Sequence, residues 1–61
     1  MELKEKLTRF RRERELSQTE LAQSLGVTRQ AVSGWERGTA VPSAEKLIAL
    51  SRLYGIPLNE L

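Results

Sequence analysis

An all-α fold, a compact bundle of five short helices around one small core, is what this chain predicts, and three observations carry the expectation. Apolar residues recur at three- and four-residue steps and nowhere alternate in the two-residue rhythm of a strand. Gly26, Gly38, Pro42, Gly55 and Pro57 divide the chain into pieces too short to persist as isolated helices, so packing must hold them. Ser17, Thr28 and Ser43 each stand just before a periodic apolar segment, where a hydroxyl oxygen can accept from an orphan N–H of the first helical turn.

The first helix is expected over about residues 2–14, with Leu3, Leu7 and Phe10 as its apolar stripe. The second, about 18–24, opens with "SQTE": Ser17 caps, Glu20 returns the bond three positions on, and Leu16 and Leu21 supply the flanking apolar pair of a hydrophobic staple. Leu21, Ala22 and Leu25 share one face, and Gly26 makes the turn that follows. Thr28 caps the third helix, about 29–37. Its Ala31, Val32 and Trp35 form an apolar arc, while Arg29, Gln30, Ser33 and Arg37 lie nearly opposite. Gly34 is out of place, because a glycine inside a helix costs about 1 kcal/mol relative to alanine. Ser43 caps the fourth helix, about 44–54, with Leu47, Ile48, Leu50 and Leu53 as its expected buried side and Gly55 as its stop. "IPLNEL" begins a fifth, about 58–61.

The 61 residues suffice for a single domain, which at this size buries only about 60% of the surface its unfolded chain exposes. A deep catalytic pocket would consume core that so small a protein needs. The chain has neither Cys nor His, which removes disulfides, thiolate metal sites, the commonest metal ligand and the commonest general base. No nucleophile–base set or metal cluster is visible, so neither an enzyme nor a cofactor, metal or small-molecule ligand is expected. Apolar residues never mass into the roughly 20 needed to cross a bilayer, and "MELKEKLTRF" lacks the apolar centre of a signal peptide. A soluble cytoplasmic protein with no membrane partner is the expectation. The formal net charge of +2 arises entirely within residues 1–15, where six cations face four carboxylates. That basic arm suits an anionic partner, although mixed charge also makes an ordinary solvated face.

The second and third helices, joined through "LGVT", make a tight helix–turn–helix. Ala22 allows close approach, Gly26 turns the chain, and Leu21, Leu25, Val27, Val32 and Trp35 pack the pair onto helices one and four. The outer face of the third helix is left projecting.

On these residues the stretch "LSQTELAQSLGVTRQAVSGWERGTAVPSAEKL" resembles the phage-repressor and Cro type of helix-turn-helix, the XRE family of bacterial and phage regulators. The likeness extends over "LTRFRRE" before it and "LSRLYGIPLNEL" after it, and so over nearly the whole chain. The resemblance implies a lambda-repressor-like bundle whose third helix enters the major groove of double-stranded DNA, and a sequence-specific transcriptional regulator, expected to be a repressor. By the same resemblance Thr28, Arg29, Gln30 and Ser33 occupy positions facing base edges or nearby phosphates. Arg29 suits a guanine edge and Gln30 an adenine edge. Gln18 stands where relatives grip a phosphate, helped by free N–H groups at a helix N-terminus. Arg37 and Thr39 stand where the following loop meets the next phosphates. Arg11 and Glu36 match positions that the family often pairs, implying a partly buried ion pair between helices one and three. Relatives often dimerise beyond the fourth helix, which here implicates Ile56, Pro57, Leu58 and Leu61 in a weak homodimer on a palindromic operator. Trp35 is expected in the core.

Three departures from the family pattern stand out. Gly34 replaces the long polar residue of many relatives, so a contact on the reading helix is expected to be missing. The loop 39–43 carries no Lys or Arg, which argues against reach into the minor groove. Glu15 stands where glycine is common, and is expected to hold a strained backbone at the end of helix one. A competing use of the same fold is as a protein-interaction module, an antitoxin or adaptor, acting through the Ile56–Leu61 surface. Whether these 61 residues are a complete small regulator or the DNA-binding piece of a longer one is left open by the sequence.

Overall fold

The computed structural model describes all 61 residues. Four α-helices follow in order: α1 (Leu3–Glu13), α2 (Gln18–Leu25), α3 (Arg29–Arg37) and α4 (Ala44–Tyr54). The expected fifth helix is instead one turn of 3₁₀ geometry, Leu58–Glu60. Its bonds run from Glu60 N to Pro57 O and from Leu61 N to Leu58 O. So short a segment gains none of the cooperativity that sustains an α-helix.

Three helices start as their caps dictate. The Oγ of Ser17 accepts from Glu20 N at 3.0 Å, that of Thr28 from Ala31 N at 3.1 Å, and that of Ser43 from Lys46 N at 3.2 Å. At Ser17 the capping box closes, because Ser17 N also donates to Glu20 Oε1 at 2.9 Å. This exposed Glu20 carboxyl is held below its ordinary pKa by the same bonds, the one from the Ser17 backbone first. Gly26 ends α2 in the left-handed region at φ 69°, and Val27 N then reaches back to Ala22 O at 3.0 Å. Gly38 and Gly55 end α3 and α4 with the same backbone sign. Glu15 does so after α1, at φ 55°, although it has a side chain.

Inside lie Leu7, Leu21, Ala22, Leu25, Val32, Trp35, Leu50 and Tyr54, with Leu3, Phe10, Leu16, Val27, Ala31, Leu47, Ile56 and Leu61 packed half-buried against them. The buried side of α4 differs from the expected one. Ile48 and Leu53 remain 42% exposed each, and Tyr54 is buried in their stead. At 100° per residue Leu47, Leu50 and Tyr54 fall within about 60° of one another, with Ile48 and Leu53 on the flanks. The narrow core reaches only the centre of that arc. The Tyr54 hydroxyl finds no hydrogen-bond partner, and burial pushes its pKa up to about 12. No helix is long and apolar enough to cross a membrane.

Candidate nucleic-acid interface

Packing Val32 and Trp35 into the core turns the opposite side of α3 outward. Arg29, Ser33, Arg37 and Gln30 then occupy an arc of about 100°. Thr28, Arg29, Gln30 and Arg37 are exposed and Ser33 is half-buried. Thr28 already serves as the cap, while the Arg37 guanidinium donates through Nε to Ser33 O at 3.3 Å. Thr39, exposed just beyond α3, donates through Oγ1 to Gly34 O at 3.4 Å.

Behind this face lies a connected set of charges. Arg11 of α1 grips Glu36 of α3 with two bonds, Nε to Oε2 at 2.7 Å and Nη2 to Oε1 at 2.9 Å. A third Arg11 donor reaches Leu16 O at 2.7 Å and so fixes the chain entering α2. The pair is nearly closed off from water, with side-chain exposures of 11% and 7%. Burial alone would raise the Glu36 pKa, but the bonds from Arg11 and Gln18 outweigh it and hold the carboxyl below its ordinary value. The bond to Glu36 in turn holds the Arg11 pKa above its ordinary value.

Gln18 is half-buried inside this set. Its Nε2 donates to Glu36 Oε1 at 3.0 Å, and its Oε1 accepts from Arg29 Nη1 at 3.4 Å. A Gln amide has two N–H donors, so one remains uncommitted. The first residue of α2 thus connects the inter-helix ion pair to the exposed cation at the start of α3.

Three features lay beyond the sequence reading. Gly34 does not leave a gap on the exposed arc; it is buried beneath the loop after α3. A Cβ there would stand 3.4 Å from both Ala40 Cβ and Thr39 Oγ1. Its carbonyl accepts from the backbone N–H of both Thr39 and Ala40, so the glycine anchors the loop leaving α3. Its buried place could have been suspected from the helical wheel, where it sits beside the apolar arc. Arg14 donates to Phe10 O and Tyr54 O and lies over both aromatic rings. Lys46 Nζ donates to Leu25 O at 3.0 Å, completing the end of α2 from α4. No local pattern announces these last two contacts, because each joins helices distant in sequence.

At the other end of the molecule Ile56 and Leu61 pack half-buried against the core, Pro57 is exposed, and Leu58 is 49% exposed. Leu58 and Leu61 border an open groove of about 210 Å³ with Leu3, Ala44, Leu47 and Ile48, all apolar.

A family model described as helix-turn-helix matches residues 7–61. The chain belongs to the helix-turn-helix family. It is similar to the HTH-type transcriptional activator BcrR of Enterococcus faecalis, 39% identical over 61 residues that make up all of this chain and 30% of that protein. It is also similar to the cryptic phage CTXphi transcriptional repressor RstR of Vibrio cholerae, 38% identical over 92% of this chain and 50% of that one. The chain spans half or less of the length of these two relatives. Among solved structures it matches the P22 c2 repressor protein in complex with synthetic operator 9T, with TM-score 0.90 and 29% identity over 97% of this chain and 89% of that one. The lambda-repressor-like architecture expected from the sequence is therefore the one adopted, with α2 and α3 as the helix-turn-helix pair and a 3₁₀ turn in place of a fifth helix.

Proposed function

We propose that this helix-turn-helix unit binds double-stranded DNA sequence-specifically and serves as the DNA-reading part of a transcriptional regulator, acting as a repressor. The observation that carries the reading is the polar arc at the start of α3, with Arg29 and Gln30 exposed and Ser33 half-buried, opposite a buried Val32–Trp35 face. A single helix with that polarity fits a major groove, and the donor–acceptor pattern of the arc matches base edges. The kinship with named regulators, and with a repressor whose structure was solved on an operator, supports the same conclusion.

In this reading Arg29 presents its fork to guanine O6 and N7, and Gln30 its amide to adenine N6 and N7. Thr28 and Ser33 flank them at adjacent bases or phosphates. Gln18, Arg37 and Thr39 contact the phosphate backbone, Gln18 through its remaining amide hydrogen. Ile56, Pro57, Leu58 and Leu61 pair with the same surface of a second copy, placing two α3 helices on the halves of a palindromic operator about one DNA turn apart. A lone monomer would cover one half-site, which is usually too little for tight specific binding.

Selection of duplexes from a random pool by the purified protein tests this, followed by single-base variants of the winner. Arg29→Ala and Gln30→Ala are each expected to cost about 1–3 kcal/mol of discrimination, concentrated at one base pair per half-site. Absence of any preferred duplex, or a loss spread evenly over all positions, would overturn the assignment.

A further inference from the structure

α1 and α3 enclose a second feature, an open cleft of about 480 Å³ whose lining contains no hydrophobic residue. Lys4, Arg9 and Arg12 of α1 and Arg37 of α3 bring four cations to it, against the three carboxylates Glu5, Glu13 and Glu36. Glu13 and Glu36 are already engaged by arginines, whereas Glu5 only accepts from Glu2 N at 3.4 Å. Glu36 is held by Arg11 and Gln18, and Glu13 lies 3.4 Å from Arg9 and 3.8 Å from Arg14. Lys4 has a partner too, Glu2 at 3.6 Å. Arg12 and Arg37 are different. Both are exposed, they face the cleft from opposite helices, and neither has a carboxylate oxygen within 4.0 Å.

The position of this cleft gives the two arginines a common use. Arg37 lies seven residues after Gln30 and four after Ser33, so one helical face carries all three. The cleft therefore opens at the C-terminal end of the exposed arc. Two guanidiniums without carboxylate partners, one from each helix that lines the cleft, match a tetrahedral oxyanion, since the terminal nitrogens of each can offer N–H donors.

We propose that the α1–α3 cleft is a phosphate-binding site in which Arg12 and Arg37 together hold one DNA phosphodiester, extending the DNA contact from the helix-turn-helix pair onto α1. The proposal rests on the DNA-binding reading above. Inorganic phosphate offers the same chemistry, and the experiment separates the two sources.

The test measures affinity for the selected duplex and for an unrelated duplex across a salt series, for the parent protein, Arg12→Gln, Arg37→Gln and the double variant. Arg52→Gln, which removes one exposed cation from α4, controls for net charge. Circular dichroism verifies that each variant is folded. Arg12→Gln and Arg37→Gln are each expected to flatten the log–log salt slope, and the double variant to flatten it by about 1, the value for one phosphate contact. Affinity should fall by the same factor for both duplexes, and Arg52→Gln should leave the slope unchanged. An Arg12→Gln slope no flatter than that of Arg52→Gln overturns the proposal. If Gln30→Ala still removes base preference in that case, the DNA-binding reading stands and only the α1 contact fails. A parent protein with no salt-dependent duplex binding overturns both. In a parallel titration with inorganic phosphate at fixed ionic strength, the Nε–H resonances of Arg12 and Arg37 are followed by NMR. Saturable shifts there, with unchanged duplex slopes, reject the DNA phosphodiester in favour of a free anion.

Discussion

The α2–α3 corner and the α4–Leu61 end of this molecule are built on opposite terms. At the corner the apolar side chains Leu21, Leu25, Val32 and Trp35 are buried, and what faces outward is polar. Hydrogen bonds tie it down: Ser17 with Glu20, Thr28 with Ala31, Gln18 between Glu36 and Arg29. At the other end Ile48 and Leu58 are exposed, and the groove between α4 and the last turn is lined by apolar residues alone. The corner is complete within one chain, because its caps and its ion pair satisfy it locally. The far end leaves apolar surface in water, where a covering surface would gain about 25 cal/mol per Å² of apolar area removed from solvent. A rigid polar corner suits reading, and an open apolar end suits association.

Removing Glu36 tests the corner most severely. Glu36→Ala leaves the Arg11 guanidinium buried without its counter-charge, and breaking a buried pair from one side costs about 3–5 kcal/mol. A core of this size rarely supplies more than that, so thermal melts should show the variant largely unfolded at 25 °C. Acid should act in the same direction. The folded-state pKa of Glu36 is depressed, so its contribution is present above the ordinary carboxylate pKa of about 4.3 and is lost as pH falls through the folded value. Parent stability should therefore decline as pH is lowered from about 5 to 3, and a folded Glu36→Gln variant, which no longer titrates there, should decline less. Equal pH slopes for the two proteins would refute this account of the pair.

The same contrast explains what could be read from the amino acids beforehand. Capping hydroxyls, Gly26 and the Val32–Trp35 arc are local signals, each acting within about one helical turn, and they located α2, α3 and the exposed Arg29 and Gln30. The bidentate contact between Arg11 and Glu36 spans 25 positions, and only family likeness suggested it. Arg14 over Tyr54 and Lys46 on Leu25 depend on how distant helices settle, so spacing was silent about both. Periodicity overestimated the buried width of α4, because an apolar stripe marks which residues can be buried, whereas the neighbouring helices decide how many are. Gly34 was misjudged for a related reason. Its burden as a helical residue was visible, but the loop that packs on it was not.

Glu15 offers a finer comparison inside the corner, between the two ends that flank α2. Both close with a residue in the left-handed region, but Gly26 has no Cβ and Glu15 has one. Glu15 N bonds to Arg12 O at 3.0 Å and Leu16 N to Arg11 O at 3.2 Å, the bond pattern in which glycine is usual. A side chain at positive φ costs about 1–2 kcal/mol, and glycine's added freedom in the unfolded chain cancels part of the relief. Glu15→Gly should stabilise the fold by about 0.5–1 kcal/mol, read as a higher urea midpoint at unchanged m-value. Destabilisation would mean that the Glu15 side chain contributes more than its backbone costs.

The smallest expected effect on the fold tests the open end. Leu58 is 49% exposed, and substitutions at such positions usually change monomer stability by no more than about 0.5 kcal/mol. Leu58→Ser should therefore melt like the parent in dilute solution. If the apolar groove receives a second copy, the same change should weaken self-association in sedimentation equilibrium. It should also reduce affinity for a duplex with two half-sites far more than for one with a single half-site, because only the former links two chains. Equal losses on both duplexes would place Leu58 in the monomer's own contact with DNA, and no loss on either would leave the groove without a part in assembly.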